Sequence, residues 1–251
     1  MLIFIGLGLY DEKDISLKAL EEARSCDILY AEFYTSKLTG TSLEGLEELI
    51  GQKIVSLLRS EVESSEKILE SAKNRKVGFL VPGDPLVSTT HASLRIEAKE
   101  KGIETRVIHG QSIISAAPAI SGLFNYKFGK STSIPYPTEG YEPDSFYTVI
   151  KENLDHNLHT LVFLDIKNRL MTVNEAISIL EGIEKNRMED VIKDERIFVG
   201  LGCVGSSNPV IIAGKLAVFK NNDFGPTPHV LIVPGKLHFM EEEYLKEFGG
   251  L

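Results

Sequence analysis

Leu2-Ile3-Phe4-Ile5-Gly6-Leu7-Gly8-Leu9 opens the chain, and Val77-Gly78-Phe79-Leu80-Val81-Pro82-Gly83-Asp84-Pro85-Leu86 repeats its plan further on. Each is an apolar run of strand length that breaks at a glycine-bearing turn. In an open α/β sheet, ligands bind in the crevice beyond the carboxyl ends of the strands. Two such turns on one sheet therefore predict two walls of one crevice.

Around these two stretches, apolar runs alternate with helical patterns. Residues 27–32, 53–57 and 104–108 read as further strands. Asp14 is placed to cap a helix carrying Ile15, Leu17, Leu20 and Ala23 at helical spacing, and Ser42 to cap one carrying Leu43, Leu46, Leu49 and Ile50 that Gly51 stops. A polar helix is expected over 62–73, and Ser88 is read as opening a helix that Gly102 ends. This alternation predicts an α/β fold with a mostly parallel N-terminal sheet. After an alanine- and serine-rich helix over 112–122 the texture changes. Pro135, Pro137 and Pro143 stiffen a link, and strands are expected at 160–165, 197–203 and 229–233, with helices near 143–154, 172–186 and 239–248. The reading is of two α/β domains, 1–112 and 113–251.

Composition narrows the function. The net charge of −9 argues against a nucleic-acid groove, which needs Lys and Arg gathered on one face. Only Cys26 and Cys203 are present, which gives no disulfide framework and fits a reducing cytoplasm. The strand-like start predicts no signal peptide, and no apolar run has the length of a membrane span.

The two turns differ in chemistry. Gly6 and Gly8 match the start of a dinucleotide fingerprint, but its third glycine is Asp11, within the acidic stretch Tyr10-Asp11-Glu12-Lys13-Asp14. A pyrophosphate would meet carboxylates there instead of helix N–H groups. Glu32 stands where a ribose-binding carboxylate would, and does not rescue the motif alone. In the second turn, Pro82 fixes φ, Gly83 tolerates an unusual φ, and Asp84 before Pro85 is held extended. That turn presents a carboxylate and carbonyls, which accept from an ammonium or from ribose hydroxyls. The plainer alternatives are a sharp exit from the sheet at the first turn and an ordinary Pro-Gly-Asp turn at the second.

Taken in order, Gly6-Leu7-Gly8-Leu9, Val81-Pro82-Gly83-Asp84-Pro85-Leu86-Val87, His109-Gly110-Gln111-Ser112-Ile113, Leu161-Val162-Phe163-Leu164-Asp165-Ile166-Lys167 and His229-Val230-Leu231-Ile232-Val233-Pro234-Gly235 resemble the tetrapyrrole-methylase class of methyltransferases. The resemblance covers essentially the whole chain. Within it, Gly8-Leu9-Tyr10-Asp11-Glu12-Lys13-Asp14-Ile15-Ser16 and Ala31-Glu32-Phe33-Tyr34-Thr35-Ser36 are similar to a branch that acts on a protein, not on a corrin or sirohaem. The resemblance implies a homodimer of two-domain chains with S-adenosylmethionine in a cleft between the domains. It implies Leu9, Asp84, Val87, Ser112, Ile113, Leu164, Val204 and His229 as the cofactor's lining, many through backbone groups. Cys203-Val204-Gly205 is the weakest of these anchors. The implied acceptor is the amino group of a 3-amino-3-carboxypropyl-histidine on translation elongation factor 2, methylated repeatedly to a trimethylammonium. Methyl-ester formation is a variant of the same activity.

The residues themselves agree with transfer from a sulfonium, which needs alignment and water exclusion more than an elaborate catalyst. A base serves only to keep the amine unprotonated, and Asp84, Asp165, His109 and His229 are its candidates by location, with no catalytic residue assigned. The alternatives are a corrin or sirohaem methylase of the same fold, a nicotinamide-dependent reductase, which the Asp11 departure disfavours, and a non-catalytic cofactor-binding protein. No metal site is expected: His156 and His159 read as surface residues where a helix ends. Cys203 reads as a buried packing thiol, residues 206–209 as a turn, and Glu241-Glu242-Glu243 as a solvated helix face.

Overall fold

The computed structural model describes residues 1–167 and 169–251. Those residues form two compact units, Met1–Ile113 and Ile114–Leu251.

The first unit runs β1 (Leu2–Gly6), α1 (Leu17–Arg24), β2 (Ile28–Ala31), α2 (Leu43–Ile50), β3 (Ile54–Ser56), α3 (Arg59–Ser64), α4 (Glu66–Asn74), β4 (Val77–Val81), α5 (His91–Glu100) and β5 (Thr105–Ile108). Its five strands lie in the order β3-β2-β4-β1-β5, and every pairing is parallel. A parallel sheet is covered on both faces, so its central strands β1, β2 and β4 are apolar throughout, and alternate residues feed two cores. Ile3, Ile5, Leu29 and Leu80 pack with Ala19, Ala23 and Leu46 on one face. Leu2, Phe4, Tyr30, Phe79 and Val81 pack with Ile68, Leu69 and Leu94 on the other.

Local signals set several helix ends. Ser42 accepts from the Gly45 N–H and Gly51 closes α2 at φ 81°, as its spacing predicts. Other ends differ from the expectation. Ser16, not Asp14, caps α1. The expected helix over 62–73 is two helices, broken at Ser65, which stands at φ 59° and donates its hydroxyl to Glu97 at 2.6 Å. Ser88 does not open α5. It sits at φ 55°, and the Thr89 hydroxyl bonds the Pro85 carbonyl at 3.3 Å, so the loop runs on to Thr90.

The second unit begins within α6 (Ile113–Ser121), whose first residue closes the first unit. It contains β6 (Thr132–Ile134), α7 (Ser145–Asp155), β7 (Thr160–Leu164), α8 (Val173–Arg187), β8 (Ile197–Gly202), β9 (Val210–Lys215), β10 (His229–Val233) and α9 (Phe239–Gly249). The sheet order is β6-β7-β10-β8-β9, parallel only between β6 and β7. Strand β9 is absent from the sequence reading. Its run Val210-Ile211-Ile212-Ala213 lacks the alternation of a half-buried strand, and it forms by hairpin pairing with β8. The core gathers Phe146, Tyr147, Ile150, Val162, Val173, Ile177, Leu180, Phe198, Phe219 and Leu231.

Beneath α9 lies a buried ionic cluster that the sequence reading places in solvent. Glu241 and His159 are both fully buried. Glu241 accepts from the backbone N–H groups of Phe124 (2.8 Å) and His238 (2.7 Å), from His159 Nε2 (3.0 Å) and from the Lys127 ammonium. His159 Nδ1 accepts from the Gly235 N–H at 3.0 Å, which sets the neutral tautomer protonated at Nε2. Five N–H donors from separated segments converge on Glu241 and His159, so local pattern carries no sign of it. His156 remains exposed, its Nδ1 on the Glu152 carbonyl at 2.7 Å.

Candidate functional site

In the first unit, β1 leads through α1 to β2 on one side, and β4 leads through α5 to β5 on the other. Strands β1 and β4 are neighbours, so the direction of winding reverses between them. That reversal is the topological switch point, where open α/β sheets bind ligands. Both quoted turns lie there.

Their pairing continues past the strands. Leu7 N–H bonds the Val81 carbonyl at 2.9 Å, and Gly83 N–H bonds the Gly8 carbonyl at 2.6 Å. The turn after β5 joins them. A Cβ at Gly6 would lie 2.5 Å from Gly110 N and 2.6 Å from Gly83 O, and one at Gly110 would lie 2.3 Å from Gly83 O. Three turns thus cross glycine on glycine. Gly8 stands at φ 88°, and a Cβ on it would meet Asp14 Cβ at 2.3 Å. The glycines permit the turns to pack on one another.

Asp14 has a role that its helix-cap reading misses. One of its oxygens, Oδ2, accepts from the N–H groups of Leu9 (3.1 Å) and Tyr10 (2.6 Å), pinning the loop after Gly8. Asp84 is buried. Its Oδ1 accepts from the Leu86 N–H at 3.2 Å and its Oδ2 from His109 Nδ1 at 2.7 Å, while the Val87 N–H closes a turn on the Asp84 carbonyl at 3.3 Å. The His109 side chain is 79% exposed. Leu9 and Val87 are half-buried beside these turns, and Ser112 and Ile113 continue the third into α6. These five residues lie at the carboxyl ends of β1, β4 and β5. Glu32 does not: it is fully buried and accepts from the Tyr34 N–H (2.9 Å), the Thr35 N–H (3.0 Å) and the Thr35 hydroxyl, so it is no ribose ligand.

The second unit's residues meet at one end of its own sheet. Phe163 pairs with Val230, which sets Leu164 across from His229, and His229 pairs with Gly202, just before Cys203 and Val204. His229 Nε2 donates to the Gly225 carbonyl at 2.9 Å and its Nδ1 accepts from the Val173 N–H at 3.4 Å, at the first turn of α8. Burial pushes its pKa down from the ordinary 6.5. Asp165 closes the end of β7, accepting from Tyr136 N–H (2.7 Å) and Lys167 N–H (2.8 Å). Cys203 is half-buried, at φ 51°, and is not the packed core thiol expected. Among the described residues, no group of three or more His, Cys, Asp or Glu side chains could hold a metal ion.

A crossing of glycine turns at a switch point, with a carboxylate but no phosphate cradle, suits a cofactor bearing hydroxyls and an ammonium. The chain belongs to the tetrapyrrole (corrin/porphyrin) methylase family, whose model matches residues 1–217. It is an S-adenosylmethionine-dependent methyltransferase. Within that family it is 50% identical to the diphthine synthase of Methanospirillum hungatei, over all of this chain and 98% of that one. It is 49% identical to the diphthine synthase of Methanocaldococcus jannaschii over 98% of each chain. A crystal structure of diphthine synthase superposes with a TM-score of 0.90 at 42% identity, covering 99% of this chain and 96% of that one.

Proposed function

We propose that this enzyme methylates the amino group of the 3-amino-3-carboxypropyl-histidine of translation elongation factor 2, the diphthine-forming step of diphthamide biosynthesis. Half-identity to a diphthine synthase over the full chain carries the reading. We assign the cofactor to Leu9, Asp84, Val87, Ser112 and Ile113 of the first unit and to Leu164, Val204 and His229 of the second. The acceptor set fits: each Asp84 oxygen takes one donor and keeps a further lone pair for an ammonium or a ribose hydroxyl, and the Leu9 N–H is already taken by Asp14. Bound S-adenosylmethionine supplies a sulfonium methyl that needs no further activation. The protein's part is to orient the acceptor and exclude water, worth about 7–11 kcal/mol in well-oriented model reactions. His229 has both ring nitrogens engaged, so its imidazole is not a poised base. The reading extends to a cytoplasmic homodimer, and the two free cysteines suit that compartment.

The test is intact-mass spectrometry of elongation factor 2 bearing the aminocarboxypropyl arm, after incubation with the enzyme and cofactor. Mass gains in methyl steps are expected. No gain on that factor, with methylation of a corrin or sirohaem precursor instead, would overturn the assignment.

A further inference from the structure

His91 is almost completely buried at the first residue of α5, and none of the roles above uses it. Its Nδ1 lies 3.0 Å from the Pro85 carbonyl. A carbonyl only accepts, so Nδ1 carries the proton. The other ring nitrogen, Nε2, faces the Tyr34 hydroxyl at 3.4 Å and Glu32 Oε1 at 3.7 Å. Burial beside Glu32 pushes the Tyr34 phenol up to about 12, which keeps its hydroxyl proton available to donate. Phe79 presents its ring to one side of the imidazole, with centroids 5.1 Å apart. His91 also borders a cavity of about 130 Å³, together with Val62, Glu63 and Thr90 among others. The hydrogen bonds to Pro85 and Tyr34 set where the ring points.

The stretch 31–36 acquires a purpose from this. It folds around the Glu32 carboxylate, and that fold delivers the Tyr34 hydroxyl to His91. Across the imidazole stands the carbonyl of the residue following Asp84. Two loops far apart in sequence are thus linked through one buried ring.

We propose that His91 is a positioning residue that sets the Asp84–Pro85 turn for the cofactor, with Tyr34 and the Glu32-centred turn fixing the imidazole in its turn. This rests on the assignment of Asp84 to the cofactor. It separates affinity from chemistry: a displaced turn weakens cofactor binding and leaves the transfer step, once the cofactor is saturating, close to unchanged.

The experiment is calorimetric titration of S-adenosylhomocysteine into the wild type and the variants Asp84→Ala, His91→Ala, His91→Asn and Tyr34→Phe, with thermal unfolding of each. His91→Ala is expected to weaken binding about tenfold, as loss of a buried hydrogen bond would. His91→Asn keeps a donor near the Nδ1 position and is expected to recover most of that loss. Tyr34→Phe removes only a hydroxyl and is expected to weaken binding about threefold, and it carries the test should His91→Ala fail to fold. With saturating cofactor, kcat of the His91 and Tyr34 variants should change less than about twofold. Weakening by Asp84→Ala, with binding unaltered in Tyr34→Phe and in any folded His91→Ala, overturns the positioning role. Equal weakening in His91→Ala and His91→Asn overturns it too. Unaltered binding in Asp84→Ala refutes the assignment of the turn to the cofactor, and the proposal with it.

Discussion

Gly110 lies so close to Gly83 that a Cβ on the first would sit 2.3 Å from the carbonyl oxygen of the second. The obstacle is backbone, which has no flexible end to swing aside. Gly110→Ala is therefore expected to destabilise the protein by about 2 kcal/mol or more and to weaken S-adenosylhomocysteine binding as the crossed turns part. Gly51→Ala is the comparison: no atom lies within 4 Å of its Cβ, and only the φ of 81° resists, at about 1 kcal/mol. Urea unfolding and calorimetry check both.

The Asp14 carboxylate holds the loop after Gly8 through a single oxygen, Oδ2, bonded to two backbone N–H groups. Asp14→Ala should lower stability by about 1–3 kcal/mol and loosen the cofactor several-fold, by leaving those N–H groups without their acceptor. Asp14→Asn retains a carbonyl oxygen and should lie closer to wild type. Equal losses in the two variants would mean that the charge, which both remove, matters more than the acceptor oxygen.

Much of this was legible in the sequence, and particular residues show where legibility stopped. The alternation of apolar runs and helical spacing announced a parallel sheet. Ser42 and Gly51 bracketed α2 because a cap and its helix are neighbours in the chain. Asp14 has the composition of a cap but serves Leu9 and Tyr10, since the turn after β1 bends back onto it. At position 65 the break goes with a hydrogen bond from Ser65 to Glu97, a residue distant in sequence.

Acid should act through the buried cluster. Hydrogen bonds to Glu241 from His238, Lys127, Phe124 and His159 outweigh its burial and hold its pKa at about 2, against 4.5 for an ordinary carboxyl. Its contribution is present above pH 4.5 and is lost as pH falls towards 2. Burial pushes His159 below 6.5, so the folded form stays neutral while the unfolded chain takes up a proton, and stability again falls on acidification. The urea midpoint should decline from about pH 6.5 downward. Glu241→Gln should cost about 3 kcal/mol at neutral pH, by stranding Lys127 beside a neutral group, and should flatten the decline below pH 4.5. An unchanged midpoint in that variant would refute the account.

Cys203 occupies a left-handed conformation, with Sγ 3.8 Å from the Pro226 carbonyl. Burial raises its pKa, so its thiol is not activated. Cys203→Ser is expected to retain turnover. Cys203→Val should lower the unfolding temperature by several degrees, about 1–2 kcal/mol, because a β-branched residue tolerates that φ poorly. Complete loss of turnover in a folded Cys203→Ser variant would give the thiol a chemical role.

Local order along the chain determined the architecture: strands that are apolar on both faces, helices between them, and glycine at the two strand ends where the winding reverses. Periodicity and capping act over a few residues, so they are written in neighbouring letters. Tertiary structure alone decided what those glycines face, which carboxylates are buried, and that His91 joins the loop after β2 to the loop after β4. Each of these depends on which distant segment arrives opposite a given atom, and only the packed sheet settles that.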